Sequence, residues 1–231
     1  MKLTLSPDQI SGIANLLGSF ANWQNRTYTR PEPYGSQDGE DAIIAELFPD
    51  QTNGVYVDIG AGDPVSCSNT YRLWERGWRG LLVEPRKDAV YDLCSRRWGD
   101  VVYPVAASNV DGWSRLRIQG SVSSMLADWN IEEQTKAWCK TETMRSVLDK
   151  FPAIRDACQL CSIDVEGHER EVLEGIDWAT FRPRVIVVEF IIYGVAPPHH
   201  DATEKWEPLL LANGYKPIRR TNLNAFYLRT E

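Results

Sequence analysis

The stretch Gly54-Val55-Tyr56-Val57-Asp58-Ile59-Gly60-Ala61-Gly62-Asp63-Pro64 decides the fold. Apart from Asp58, positions 55–59 are apolar or β-branched, and a glycine-rich turn follows at once. A short apolar run stopped by glycines reads as a buried parallel strand. Glycines just past such a strand carry no Cβ, so backbone amides can come close to a ligand. A dinucleotide site would want G-x-G-x-x-G here, with an apolar residue ahead of the first glycine. This chain has Asp58 two residues ahead of Gly60, and Pro64 where a third glycine would fall. A carboxylate at a strand's carboxyl end suits a cationic ligand group better than a pyrophosphate.

Outward from this stretch, strands and helices alternate. Upstream, Ala42 to Phe48 is a helix with Ile43, Ile44, Leu47 and Phe48 on its apolar face and acidic residues in its first turn. Before it, Ser6 to about Phe20 reads as a capped helix, and Pro31, Pro33 and Gly35 mark a linker. Residues 1–35 are therefore expected to be a helical extension and linker, and residues 36–231 one domain. Downstream, a helix from Thr70 to Arg76, a strand from Gly80 to Pro85, a helix from Asp88 to Trp98 and a strand from Val101 to Ala106 follow. This rhythm predicts a doubly wound parallel sheet, with the ligand outside the carboxyl ends of the strands. Glu84 stands at such an end, where an acidic residue can accept from both hydroxyls of a ribose. S-adenosylmethionine offers an α-ammonium and a ribose and has no phosphate. It answers Asp58 and Glu84 together.

Between Asp111 and Lys140 the rhythm breaks. Trp113 to Ile118 alternates with period two, Lys136 to Lys140 can pair with it, and Gly120 to Ser124 is polar and flexible. An insertion about 111–140 is expected to cap the ligand site. Its Trp113, Trp129 and Trp138 have ring faces that suit the C–H faces of sugars. A helix from Glu142 to Phe151 restores the rhythm. A strand ending at Asp164 then leads through Val165-Glu166-Gly167 to a helix from about His168 to Trp178. Val185 to Glu189 is the next buried strand, and a helix from Thr203 to Ala212 follows. Tyr215 to Arg219 and Leu223 to Arg229 form a terminal hairpin turning at Thr221-Asn222. The expected fold is α/β and Rossmann-like, of the class I methyltransferase type. It has a seven-stranded, mostly parallel sheet, helices on both faces and a C-terminal antiparallel hairpin.

Composition narrows the partners. The net charge is −7 over 231 residues, with the cations scattered, so a nucleic-acid partner is not expected. Five cysteines without a paired framework read as free thiols in a reducing compartment, Cys158-x-x-Cys161 included. The first residues lack the apolar core of a leader, and no run nears the ~18 apolar residues of a membrane helix. A cytoplasmic protein without a membrane partner is expected.

The two chemical stretches, with their neighbours, resemble the FkbM family of S-adenosylmethionine-dependent methyltransferases. The resemblance runs from Ser36 onwards: S-Q-D-G-E-D at 36–41, V-D-I-G-A-G-D-P at 57–64, S-N-T at 68–70, G-W-R-G-L-L-V-E-P at 77–85 and I-D-V-E-G-H-E at 163–169. It implies O-methylation, usually on a sugar or natural-product scaffold, with a small-molecule or carbohydrate acceptor. Candidate cofactor contacts are Asp58, Gly60, Gly62 and Glu84, joined by Gln37, Ser108 and Asp164. An alcohol must lose its proton to act as a nucleophile, and Asp164, Glu166, His168 and Glu189 are the candidate catalytic groups. His168 opens a helix, whose dipole disfavours its cation and keeps it available as a base. Alternatively, Asp164 and Glu189 share a divalent metal. Only Phe190 follows Glu189, so the metal-free version is expected. Two other classes stay open: a non-catalytic S-adenosylmethionine-binding or scaffold protein of this fold, and a nicotinamide-dependent oxidoreductase. Asp58, Glu84, Asp164 and His168 standing together at strand ends weigh against the first, and the terminal hairpin against the second.

Overall fold

Val55–Ile59 (β1) lies in the interior of a seven-stranded sheet, flanked on both sides by parallel neighbours. The computed structural model describes residues 35–119, 122–125, 135–192 and 200–230; the helix and linker expected before Gly35 lie outside them. Tyr56, Val57 and Ile59 are wholly buried, because helices cover both faces of the sheet. Tyr56 enters the core under Glu40–Leu47 (α1), Tyr71–Glu75 (α2) and Lys87–Arg96 (α3). Val57 and Ile59 enter the opposite one.

The neighbours of β1 are Arg79–Val83 (β2), which pairs on with Val101–Tyr103 (β3), and on the other side Cys158–Ile163 (β8). Beyond β8 come Val185–Glu189 (β9), then Asn224–Arg229 (β13) and Tyr215–Arg220 (β12). The order is β12-β13-β9-β8-β1-β2-β3, with β13 antiparallel to both its neighbours, as the terminal hairpin predicts. At the edge, β12 carries Pro217 with a shift of register beside it, and Lys216, Arg219 and Arg220 are exposed. Among the described residues no helix is long and apolar enough to cross a membrane.

Two elements differ from expectation. The strand predicted across Val101–Ala106 breaks at Pro104, which has no N–H to give a ladder. Its second part is a separate strand, Ala106–Ser108 (β4), in another sheet. That sheet adds Gly112–Gln119 (β5), Val122–Ser124 (β6) and Thr135–Thr143 (β7), in the order β4-β7-β5-β6. It is wider than the predicted insertion. The helix predicted from Glu142 starts later, as Met144–Leu148 (α4), because Glu142 still belongs to β7. Thr143 caps it by accepting from the Ser146 amide at 3.1 Å. Pro152 then opens Pro152–Ala157 (α5). Glu169–Glu174 (α6) and Thr203–Ala212 (α7) join α4 over the second core, and Ile191–Ile192 (β10) pairs with His200–Asp201 (β11).

Beneath the loop after β1 lies a polar knot that composition and pattern do not reveal. Arg97 is 1% exposed, and every nitrogen of its guanidinium donates. Nε reaches Asp100 (3.1 Å), Nη1 reaches the Pro64 carbonyl (3.2 Å) and Ser68 (3.3 Å), and Nη2 reaches Tyr56 (2.8 Å) and Thr70 (2.9 Å). The Tyr56 hydroxyl in turn donates to Asp100 at 2.6 Å, and Thr70 donates to Asp58 at 2.6 Å. Removing one member of such a buried set strands the others without partners. Arg97→Met should therefore lower the stability by about 3–5 kcal/mol in urea unfolding. A loss below about 1 kcal/mol would show that the knot is not what holds this region.

Candidate functional site

The carboxyl ends of β1, β2 and β8 meet at a close backbone contact. The amides of Gly60 and Ala61 donate to the Val83 carbonyl at 2.8 and 3.3 Å, and the Asp164 amide donates to Ile59 at 2.9 Å. Gly60 has a φ of 80°, and a Cβ there would lie 1.7 Å from the Asp164 carbonyl oxygen. Only glycine fits. The loop then opens on a cavity of about 260 Å³, just below the usual range of ligand pockets, about 300–1,000 Å³. Glu84 lines it, 3% exposed, accepting from the Gly62 amide at 2.9 Å and from the Arg86 amide at 2.8 Å. Burial pushes its carboxyl above the usual range. Asp63 tightens the turn by accepting from the Val65 and Ser66 amides.

Of the candidate residues, Gln37, Gly60, Gly62, Glu84, Asp164 and Glu166 line this cavity. Asp58 does not. Its side chain lies on the side of Tyr56, under the loop, with Thr70 as donor, and burial above all pushes its carboxyl up to about 6. Ser108 and His168 are also absent from the lining. They face each other instead, with Ser108 Oγ 3.1 Å from His168 Nε2, and His168 Nδ1 lies 3.5 Å from Glu171. Burial pulls the imidazole pKa down, so the ring is neutral near neutrality.

The second sheet contributes residues that no motif marked. Leu116, Ser123 and Met125 line the cavity, and Ser124 Oγ donates to the Glu166 carbonyl at 2.7 Å. This sheet thus bounds the site on the side of β8, as a cap would. Trp113 and Trp138, by contrast, lie on its outer face at 69% and 64% exposure, with Arg115 stacked on Trp138. Strand alternation puts them opposite Leu116. Trp129 lies outside the described residues.

Past β8 the carboxylates crowd. One oxygen each from Asp164, Glu166 and Glu189 lie within 4.8 Å of one another. Asp164 and Glu189 are in side-chain hydrogen-bonding contact, which two ionised carboxylates cannot sustain. Glu189 is 2% exposed and sits behind Asp164, outside the cavity lining. Glu166 adopts a left-handed φ of 56°, followed by Gly167 at 98°. Glu169, the last residue of the 163–169 motif, holds this turn by accepting from the Val165 and Gly167 amides at 3.2 and 3.0 Å. Burial first, and then the charges of Asp164 and Glu169, push the Glu166 carboxyl up to about 9. Burial raises Asp164 and Glu189 as well, and takes Glu169 to about 7. Among the described residues no Lys, Arg or His pairs with Asp164, Glu166 or Glu189.

No curated protein matches the chain. Among solved structures it is similar to a Burkholderia thailandensis 1,6-didemethyltoxoflavin-N1-methyltransferase with bound 1,6-didemethyltoxoflavin and S-adenosylhomocysteine. The identity is 13% and the TM-score 0.46, over 100% of this chain and 93% of that one. It is also similar to a precorrin-6y C5,15-methyltransferase from Geobacter metallireducens, at 12% identity and a TM-score of 0.47, over 90% and 96% of the two chains. Likenesses this weak carry nothing about substrate. The family comparison is of a different order: the model described as the methyltransferase FkbM domain matches residues 58–217, and the chain belongs to that family.

Proposed function

We propose that this methyltransferase is an O-methyltransferase whose acceptor is a hydroxyl of a sugar or natural-product scaffold. The observation that carries the reading is that Asp164 and Glu166 line the same cavity as the Gly60–Gly62 loop and Glu84. Cofactor recognition and proton acceptance are then neighbours. S-adenosylmethionine, the cofactor, supplies when bound a methyl group on a sulfonium centre and is left as S-adenosylhomocysteine. The cradle suits it: a loop that tolerates no Cβ at Gly60, and a carboxylate at Glu84 with lone pairs left for ribose hydroxyls. Gln37 lies at the rim. Asp58 acts from below, through Thr70, on the placement of the loop.

Glu166 is the group we assign to proton removal. Its carboxyl, pushed up to about 9, is mostly protonated near neutrality. The ionised fraction, which grows as pH rises toward 9, is a strong base that can accept the hydroxyl proton as the acceptor oxygen bonds to the methyl carbon. The electron pair of the broken carbon–sulfur bond stays on sulfur. His168 is the weaker candidate, because its two ring nitrogens are directed to Ser108 and Glu171. The sugar or natural-product class is supported by the family resemblance of the two motifs.

Incubation with a panel of methyl glycosides and small alcohols should release S-adenosylhomocysteine and add one methyl to a hydroxyl oxygen. Methylation confined to nitrogen or carbon acceptors would refute the reading. Glu166→Gln should lower kcat by about 10²–10⁴ while S-adenosylhomocysteine binds as before.

Glu84→Ala is expected to weaken S-adenosylhomocysteine binding by about 1.5–3 kcal/mol in titration calorimetry. Unchanged affinity would remove Glu84 from the cofactor site.

A further inference from the structure

The cluster beyond β8 holds more acceptor oxygen than the protein satisfies. Glu189 Oε2 is buried with no hydrogen-bond partner, and so is Glu166 Oε2. Of the four such atoms among the described residues, the other two, Trp206 Nε1 and Asn224 Oδ1, lie outside this cluster. Buried polar atoms in proteins are paired with few exceptions, so two in one cluster need a reason. The nearby acids show the contrast. Glu40 accepts from Thr221 Oγ1 at 2.6 Å and Asn224 Nδ2 at 3.1 Å with one oxygen, and from the Asp38 amide at 2.9 Å with the other. Glu169 is occupied by the turn it holds. Both are committed to the framework. Asp164, Glu166 and Glu189 remain, with one oxygen of each within 4.8 Å of the others.

We propose that Asp164, Glu166 and Glu189 bind one hard divalent cation, magnesium or manganese. Oxygens that share such an ion lie about 3–4 Å apart, given bonds of about 2.1 Å. The observed 4.8 Å span closes to that by rotation of the glutamate side chains. No His or Cys takes part in the group, and an all-carboxylate set selects a hard ion over zinc. Phe190, the residue after Glu189, offers no ligand. The further ligand is Glu166, in the turn after β8, where a left-handed backbone and the bond from Ser124 to its carbonyl hold its main chain in place. Because Asp164 and Glu166 line the cavity while Glu189 stands behind, the ion's remaining positions open toward the acceptor's side. There it would take an acceptor oxygen and lower the pKa of its hydroxyl, the proton leaving to the second oxygen of Glu166, which the ion does not occupy. That use rests on the O-methylation reading; occupancy of the site does not.

The test therefore measures binding without any acceptor. Titration calorimetry of manganese chloride into the full chain should give saturable one-site binding, and magnesium should raise the unfolding temperature. Glu189→Gln relieves the carboxylate contact and so should fold at least as well. It should lose about tenfold or more in manganese affinity and keep its S-adenosylhomocysteine affinity. Manganese should bind equally in the presence of S-adenosylhomocysteine. Three results would overturn the proposal: no saturable binding to the wild-type chain, unchanged affinity in Glu189→Gln, or competition between manganese and S-adenosylhomocysteine. The last would assign the cluster to the cofactor's ammonium. Methylation of hydroxyls by a chain that binds no manganese would sink this proposal alone and leave the O-methylation reading standing.

Discussion

A single buried guanidinium organises the half of the molecule that carries the cofactor loop. Arg97 joins β1 through Tyr56, the loop through the Pro64 carbonyl and Ser68, the start of α2 through Thr70, and β2 indirectly through Asp100, which also accepts from the Gly80 amide. An arginine suits this task because its planar fork offers donors in fixed directions and never loses its charge. Hydrophobic packing alone would tolerate small slides of the loop relative to the sheet. A saturated set of directed bonds does not, since each displacement strands a buried polar atom. The contribution is to uniqueness of geometry more than to net stability, which buried ion pairs often fail to increase.

On the other side of β1 the same closeness creates an electrostatic problem. Gly60 lets the turn of β1 touch the backbone of Asp164, so the glycine loop and the acids of β8 share one small volume. Pre-organised backbone near a ligand is what transfer chemistry needs, because most of the acceleration comes from orientation. Yet the sheet ends there in Asp164 and Glu189, and the turn adds Glu166 and Glu169. Low local polarity magnifies their repulsion. The protein solves part of it with amides, at Glu169, and part with protons, by raising the affinities of Glu166 and Glu189.

Much of this architecture is readable in the linear chain, for identifiable reasons. The β1 run, Glu84 at a strand end and the terminal hairpin are signalled locally, by apolar runs, glycines and period. Gly60, Gly62, Glu84, Asp164 and Glu166 line one cavity because strand ends of a parallel sheet share an edge, and Gln37 joins them from the turn before α1. The failures arise where the outcome depends on contacts distant in sequence. Arg97 has no pattern around it; its partners lie at positions 56, 64, 68, 70 and 100. Asp58 is assigned to the ligand by its position, but strand alternation sends its carboxylate under the loop. Trp113 and Trp138 carry the right chemistry on the outward parity of β5 and β7. The break at Pro104 is legible in hindsight from the missing N–H, whereas the parallel pairing of β4 with the far end of β7 is not.

The outermost strand of the sheet has a consequence for the behaviour of many copies in one solution. A sheet whose last strand offers a clean row of amides and carbonyls invites another chain to extend it, and such extension is open-ended. Here β12 interrupts that row with Pro217 and a shifted register, and surrounds it with the exposed cations Lys216, Arg219 and Arg220. A second molecule approaching along this edge meets a missing donor, a bend and long charged side chains, two of them held by Glu46 and Asp201. The order of the last two strands thus shields the buried antiparallel strand β13 behind one unsuited to templating. Polymerisation through strand addition is blocked at this rim by covalent chemistry, not by bulk.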